Sequence, residues 1–463
     1  MSFRDKYFGD RNFYRKVLLV AVPIMIQNGI TNFVGMLDNI MIGQVGTQQM
    51  SGASIVNQLI FVYNLCIFGG VSGAGIFTAQ YYGQGDHEGV KTTFRYKLLL
   101  SVILTGAATV LFVLLGDTLI GFYLTGSGEA GEAAATLAYG KSYLMVMLAG
   151  LPAFMLTNVY TSTLRECGET ILPMNAGVVA VLVNLVFNYL LIYGKFGFPK
   201  MGVVGAAAAT VLSRFIELLI VLLWSHTHTK KVPYLAGIYR TLKVPADIAK
   251  KITVKGFPLL LNETLWAGGM AMLSQCYSVR GLNVVAGMNI SNTIGNVFNI
   301  VMIAMGSAVG IIIGQLLGAG KMDEAVDTDR KLIMFSVLSC TVTAALLLVV
   351  APFFPNIYNT DDDVKQLAVW FIMVLAFSMP HNAFLNAAYF TIRSGGKTII
   401  TFLFDSVFIW VFSVTTAYLL TRFTGLHIVA VYAIIQALDL LKCLVGYILL
   451  KKRVWINNIV NEM

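Results

Sequence analysis

Apolar residues run through this chain in long stretches, interrupted at intervals by Gly, Pro, Asn and charged positions. A membrane-crossing helix needs about 20 predominantly apolar residues. The pattern predicts twelve such helices, at about 15–44, 51–82, 94–116, 134–160, 170–194, 202–225, 253–278, 285–318, 332–354, 364–390, 398–421 and 427–450. The runs are continuous rather than alternating, which argues against the short two-faced strands of a membrane barrel. The expected fold is an all-α integral membrane protein of twelve transmembrane helices joined by short loops.

Residues 226–252 are the one long polar connection, and they separate two six-helix halves, 1–225 and 253–463. The linker carries Lys230, Lys231, Arg240, Lys243, Lys250 and Lys251 and reads as a solvated segment. A basic amphipathic piece lying on the membrane is the alternative. The halves resemble each other. A shift of 235 residues pairs Pro23 with Pro258, Asn57 with Asn292, Gln80 with Gln315 and Gly83 with Gly318. A shift of 228 pairs Pro152 with Pro380, Asn158 with Asn386, Arg165 with Arg393 and Gly168 with Gly396. Each half crosses an even number of times, so the two share one orientation. Such parallel duplication is a transporter architecture, with two pseudo-symmetric lobes that rock about a central cavity.

Composition narrows the class. Only 12% of the residues are charged, against about 25% in soluble domains. The net charge of +9 would suggest nucleic acid in a soluble protein, but here it follows the rule that basic residues stay on the cytoplasmic side. The outer loops hold only Lys195, Lys200, Arg280, Lys365 and Arg422 as basic residues, beside the acidic Glu129, Glu132 and Asp361–Asp363. Most of the remaining basic residues, Lys97 among them, fall in segments assigned to the other side. The chain is therefore expected as a multi-pass protein of the inner (cytoplasmic) membrane with both termini cytoplasmic and no nucleic-acid partner. The five cysteines show no metal-binding spacing, and the N-terminus lacks the pattern of a removable signal.

Charges inside the spans are the candidate chemistry. An ionised side chain at mid-membrane costs about 2.5–3.5 kcal/mol on insertion scales and marks function by default. Arg214 with Glu217 and Asp439 with Lys442 are spaced to pair within a helix. Asp38, Glu263 and Asp405 have no such partner and are the candidates. Asp38 lies 22 residues past Lys16, about 33 Å along a helix, which places it in the outer half unless it is merely a solvated helix end. Asn184 and Asn188, one turn apart near the outer end of span 5, can join it in an oxygen cage for Na⁺ or hydrogen-bond a protonated carboxyl. Asp405 lines a cavity beside Glu263 or bonds a hydroxyl of a neighbouring helix. No HExxH, GxSxG or intramembrane Asp pair on adjacent helices is present. An enzyme is therefore not expected, and no cofactor beyond a coupling ion is.

Several stretches together resemble multidrug and toxic compound extrusion (MATE) transporters. They are LDNIMIGQVG in span 1, the GxxxxxQxxGxG pattern at Gly75–Gly85 and again at Gly310–Gly320, and LRECGET at Leu164–Thr170. NYLLIYGKFGFPKMGVVGAAAAT at Asn188–Thr210 and IRSGGKT at Ile392–Thr398 complete the set. The resemblance spans essentially the whole chain. It implies two six-helix lobes and export of small-molecule organic cations, by a monomer in the lipid bilayer, driven by entry of H⁺ or Na⁺. It also implies a coupling site at Asp38, Asn184 and Asn188, where some relatives have Asp at the last position. In other relatives the Glu263 position works with an Asp on span 10, which is Asn382 here, beside His381. One acid of that pair is thus gone. Glu263 is then expected to contact a cationic substrate or carry a proton, with His381 a relay or an ordinary polar residue. The single acid at each site favours H⁺ as the coupling ion, while carboxamides plus freed carbonyls near Gly29 and Gly35 leave Na⁺ open. A lipid-linked oligosaccharide flippase of the same superfamily is the alternative function. It would want a cavity rich in Arg and Lys, and these spans have few.

Overall fold

The computed structural model describes residues 3–124 and 130–461. Glu129 of the outer acidic pair lies outside them. After a short helical turn at Phe3–Tyr7 come α1 (Arg11–Gly43), α2 (Thr47–Gln84), α3 (His87–Leu124), α4 (Ala130–Glu166), α5 (Ile171–Tyr193) and α6 (Val203–Thr227). The second half repeats the series as α7 (Ala246–Ser278), α8 (Leu282–Gly318), α9 (Met322–Val350), α10 (Asp362–Ser394), α11 (Thr398–Phe423) and α12 (Ile428–Lys451). No strand occurs among the described residues. Eleven of the long helices are apolar enough to cross a bilayer among the described residues. The exception is α7, whose Lys255, Asn262, Glu263 and Gln275 dilute its apolar face.

The chain divides into two compact units. One comprises residues 1–25, 79–85 and 251–463, the other 26–78 and 86–250. The repeat is visible in the packing of each. In the second unit α4 packs on α3 and α6; in the first α10 packs on α9 and α12, which are the repeat-matched helices. Matched prolines sit inside helices in both halves, Pro23 in α1 and Pro258 in α7, Pro152 in α4 and Pro380 in α10. Each removes one backbone donor and weakens the helix locally. Helix α1 passes from one unit to the other just beyond Pro23.

The end of α2 is fixed by a reciprocal contact inside the first unit. A methyl group added at Gly83 would stand 1.9 Å from the Gln315 carbonyl oxygen, and one added at Gly318 would stand 1.9 Å from the Gln80 carbonyl oxygen. These are the same two positions in each repeat, so only glycine lets the backbones meet. The C-terminal segment then ties the contact together. Gln80 Nε2 donates to the carbonyls of Ser394 at 2.9 Å and Asn457 at 3.1 Å, while its oxygen accepts from Ile459 N at 2.9 Å. Asn458 Nδ2 donates to the Gly318 carbonyl at 3.1 Å, and Trp455 is fully buried.

Two expectations need correction. The linker is not simply solvated. Val232, Tyr234, Leu235 and Ile238 are buried within its unit, while Lys230, Lys231 and Arg240 stay exposed. Its apolar residues thus cover protein. Lys97 is not a loop charge either. It is fully buried in α3, ion-paired with Glu166 and within 3.1 Å of Thr163 Oγ1. The sequence spacing of the two residues, a whole helix apart, hid the pair.

Replacing Gly318 by Leu is expected to cost about 1–3 kcal/mol, the usual penalty of overpacking, because the obstacle is backbone rather than a flexible side chain. Thermal unfolding in detergent measures it. An unchanged midpoint would show that the two helices can separate freely.

Candidate functional site

Helices α1, α4, α5 and α6 of the second unit surround a cavity of about 440 Å³ that includes Asp38, Asn184, Thr210, Arg165, Arg214 and Glu217 in its lining. The polar positions lie on helix faces that turn inward, leaving apolar faces outward. Asp38 meets amides rather than cations. Asn188 Nδ2 donates to its Oδ1 at 2.5 Å, and both asparagines are buried, Asn188 to 1% exposure. Asp38 has no ion pair among the described residues.

The Asn184 carboxamide sits 3.0 and 3.1 Å from the two Asp38 oxygens and 3.2 Å from Thr210 Oγ1. Turned one way its nitrogen faces an ionised Asp38 and its oxygen accepts from the threonine hydroxyl. Turned the other way its oxygen accepts from Asn188 Nδ2 at 3.1 Å and its nitrogen donates to Thr210. In that second arrangement the Asn184 oxygen lies beside the Asp38 oxygens, with the Asn188 amide bridging them, a contact that a proton on the carboxyl would favour. Thr210 serves both states because a hydroxyl both donates and accepts. Sequence reasoning missed Thr210, although it closes the stretch Asn188–Thr210.

Of the cavity's other charges, Arg214 and Glu217 hold each other. Arg214 pairs with Glu217 at 3.4 Å and stacks on the Phe154 ring at 5.1 Å. Arg165 Nη2 donates to Gln27 Oε1, while its Nε is buried without a partner among the described residues. The expected Arg214–Glu217 pair is therefore present.

In the first unit the expected pairing of Asp439 with Lys442 gives way to another. Lys442 Nζ lies 2.8 Å from Asp405 Oδ1 and 5.2 Å from the Phe404 ring centre. Asp405 is thus not unpartnered; its cation comes from a different helix, which spacing along one helix cannot reveal. Asn262 Nδ2 donates to the other Asp405 oxygen at 3.1 Å, and the Ser406 hydroxyl reaches Asn262 Oδ1 at 2.7 Å. Helix α11 widens to i→i+5 turns over Leu403–Val407 and again over Ile409–Val414, presenting Asp405 and Ser406 to α7. Such widened turns cluster at functional sites. Next to Asn262, Glu263 has neither ion pair nor hydrogen bond among the described residues. It is not bonded to Asn382, whose Nδ2 reaches Ser378 Oγ at 3.5 Å. His381 is half-buried and its Nε2 has no partner among the described residues. No group of three or more His, Cys, Asp or Glu able to hold a metal occurs among the described residues.

An all-helical, multi-pass chain with a membrane-buried carboxylate in a polar cavity is a membrane transporter rather than an enzyme. It belongs to the MatE family, whose model matches residues 23–190 and 258–419, the two halves of the repeat. The chain is 25% identical to the probable multidrug resistance protein NorM of Thermotoga maritima over 90% of its own length and 88% of that protein's. It is also 25% identical to the multidrug resistance protein MdtK of Pectobacterium atrosepticum, over 88% and 87%. Among solved structures, an outward-facing multidrug resistance MATE family transporter of the MOP superfamily matches the fold with a TM-score of 0.83 at 20% identity, covering 96% of both chains. A MOP superfamily transporter from Pyrococcus furiosus, described as having a binding pocket of reversed polarity, matches at 0.84 and 21%, again over 96% of both.

Breaking a buried ion pair on one side costs about 3–5 kcal/mol, chiefly for the charge left behind. Asp405 is one-fifth exposed, so Lys442→Met is expected near the lower end of that range. Adding Asp405→Asn should recover most of the loss. Thermal unfolding of the single and double variants checks this, and equal midpoints for Lys442→Met and the parent would remove the pair from the account.

Proposed function

We propose that the protein exports organic, mainly cationic drugs from the cytoplasm in exchange for H⁺, with Asp38 as the coupling carboxylate. The observation that carries this is the Asp38–Asn184–Asn188–Thr210 cluster, in which a buried carboxylate meets amides and no cation among the described residues. Holding a bare carboxylate among apolar helices is costly, and a proton or a cation relieves it. H⁺ is favoured over Na⁺ because a tight Na⁺ site wants several charged oxygens, and Asp38 is the single carboxylate of this cluster. The relatives' names as multidrug resistance proteins support the substrate class. Glu263, un-neutralised in the first unit, supplies the charge that would attract an organic cation, while Asp405 is occupied by Lys442.

The protein works as a monomer in the inner membrane with both termini cytoplasmic, as the distribution of Lys and Arg supports. Its halves, residues 1–225 and 253–463 joined by 226–252, act as lobes that rock to give alternating access, as the parallel repeat supports. A lipid-linked oligosaccharide flippase would need several free cations in the cavity, whereas Arg214 is neutralised by Glu217 and Arg165 is the one lining cation without an ion pair among the described residues.

Ethidium efflux from proteoliposomes with H⁺ and Na⁺ gradients imposed separately tests the reading. The H⁺ gradient alone should drive efflux in the parent and fail in Asp38→Asn, with unfolding midpoints alike. Efflux driven by Na⁺ at clamped pH would overturn the proton assignment. Glu263→Gln should weaken transport of cationic dyes about tenfold more than that of zwitterionic compounds, since a charge-assisted contact contributes about 1.5–3 kcal/mol. Equal losses would place Glu263 in coupling instead.

A further inference from the structure

Outside the sites described, one groove of the first unit combines an open volume with uncompensated charge. It measures about 470 Å³ and lies among α9, α10, α12 and the N-terminal turn. Its rim carries Lys6, Arg330, Lys451 and Arg453, and Ile333, Met334 and Phe384 line its apolar wall. Neighbouring cations are neutralised: Lys331 by Asp327 at 2.5 Å and Lys321 by Glu324 at 3.0 Å. The four rim cations have no ion pair among the described residues. The one acid in the lining, Asp329, is buried, its Oδ1 accepts from the Thr391 hydroxyl at 2.5 Å and its charge offsets part of that of Arg330, which leaves three rim cations unopposed among the described lining residues.

Two further observations say that the groove is built to be filled. Arg453, just beyond the end of α12, holds a left-handed conformation with φ of 55°. That region is unfavourable for any residue with a Cβ, and glycine is the usual occupant after a helix. An arginine kept there has a use for its side chain. The repeat supplies the second observation. Arg330 corresponds to Arg95 under the 235-residue shift. In the second unit Arg95 is buried, its Nε donates to the Ile238 carbonyl at 3.2 Å, and the linker's Tyr234, Leu235 and Ile238 are buried in that same unit. In the first unit Arg330 is half-buried in the groove lining and makes no such bond among the described residues.

We propose that this groove seats an anionic phospholipid, its headgroup phosphate among Lys6, Arg330, Lys451 and Arg453 and an acyl chain along Ile333, Met334 and Phe384. Basic pockets between membrane helices hold such headgroups, and each cation near the headgroup contributes to the attraction. The apolar wall distinguishes a lipid from a small anion, which would gain nothing from it. The lipid would meet Arg330 as the linker meets Arg95.

Native mass spectrometry of the full-length protein in detergent, titrated with phosphatidylglycerol or phosphatidylcholine, tests the assignment. Phosphatidylglycerol should bind about tenfold more tightly than phosphatidylcholine, and Arg330→Gln with Arg453→Gly should abolish that preference. Glycine suits the left-handed position, so this variant should unfold no earlier than the parent. Met334→Trp, which fills the apolar wall, should weaken both lipids while keeping the unfolding midpoint. Glycerol phosphate at millimolar concentration should not displace the lipid. Equal binding of the two lipids, an undiminished preference in the double variant, or displacement by glycerol phosphate would each overturn the proposal, the last by making the groove a site for small anions.

Discussion

A charge placed among apolar helices has to be neutralised nearby or put to use, because the bilayer offers no water to do it. That constraint sorts the ionisable residues of this chain. Lys97 is paired with Glu166, Lys442 with Asp405 and Arg214 with Glu217, each fixing one helix against another or steadying its own. Asp38 and Glu263 are the two carboxylates singled out from the sequence that no cation neutralises among the described residues. Their surroundings differ. Asp38 is met by the amides of Asn184 and Asn188, the first of them backed by the Thr210 hydroxyl, whereas Glu263 sits beside the fully engaged Asn262.

The duplication explains both what the halves share and where they part. Shared positions do structural work: Gly83 and Gly318 let two backbones meet, and the matched prolines weaken matched helices. Divergent positions hold the candidate carboxylates. Asp38 corresponds to Leu273, and Glu263 to Asn28, so each half keeps one carboxylate at a different place along the fold. The same divergence leaves Arg95 covered by protein and Arg330 open in its groove.

The fold was largely legible in the sequence because long apolar runs have only one satisfactory structure in a bilayer, and the repeat confirmed its grouping. Asp38, Asn184 and Asn188 were legible as a cluster because span direction and a one-turn spacing put them at one level. Partners from separate helices were not. The pairing of Lys442 with Asp405, the Lys97–Glu166 pair and the contribution of Thr210 depend on how helices pack, which no spacing along the chain encodes. The linker's burial escaped notice for a related reason, since its few apolar residues look unremarkable until the surface they cover is known.

The account's central claim is that Asp38 changes its protonation as substrate and coupling ion exchange. It is tested most directly by adding ethidium to the purified protein in weakly buffered detergent and following proton release with a pH indicator. The claim predicts release of about one proton per chain, as linkage requires of a single carboxyl that gives up its proton, and none from Asp38→Asn. Undiminished release from Asp38→Asn, or ethidium binding with no release from the parent, would contradict it.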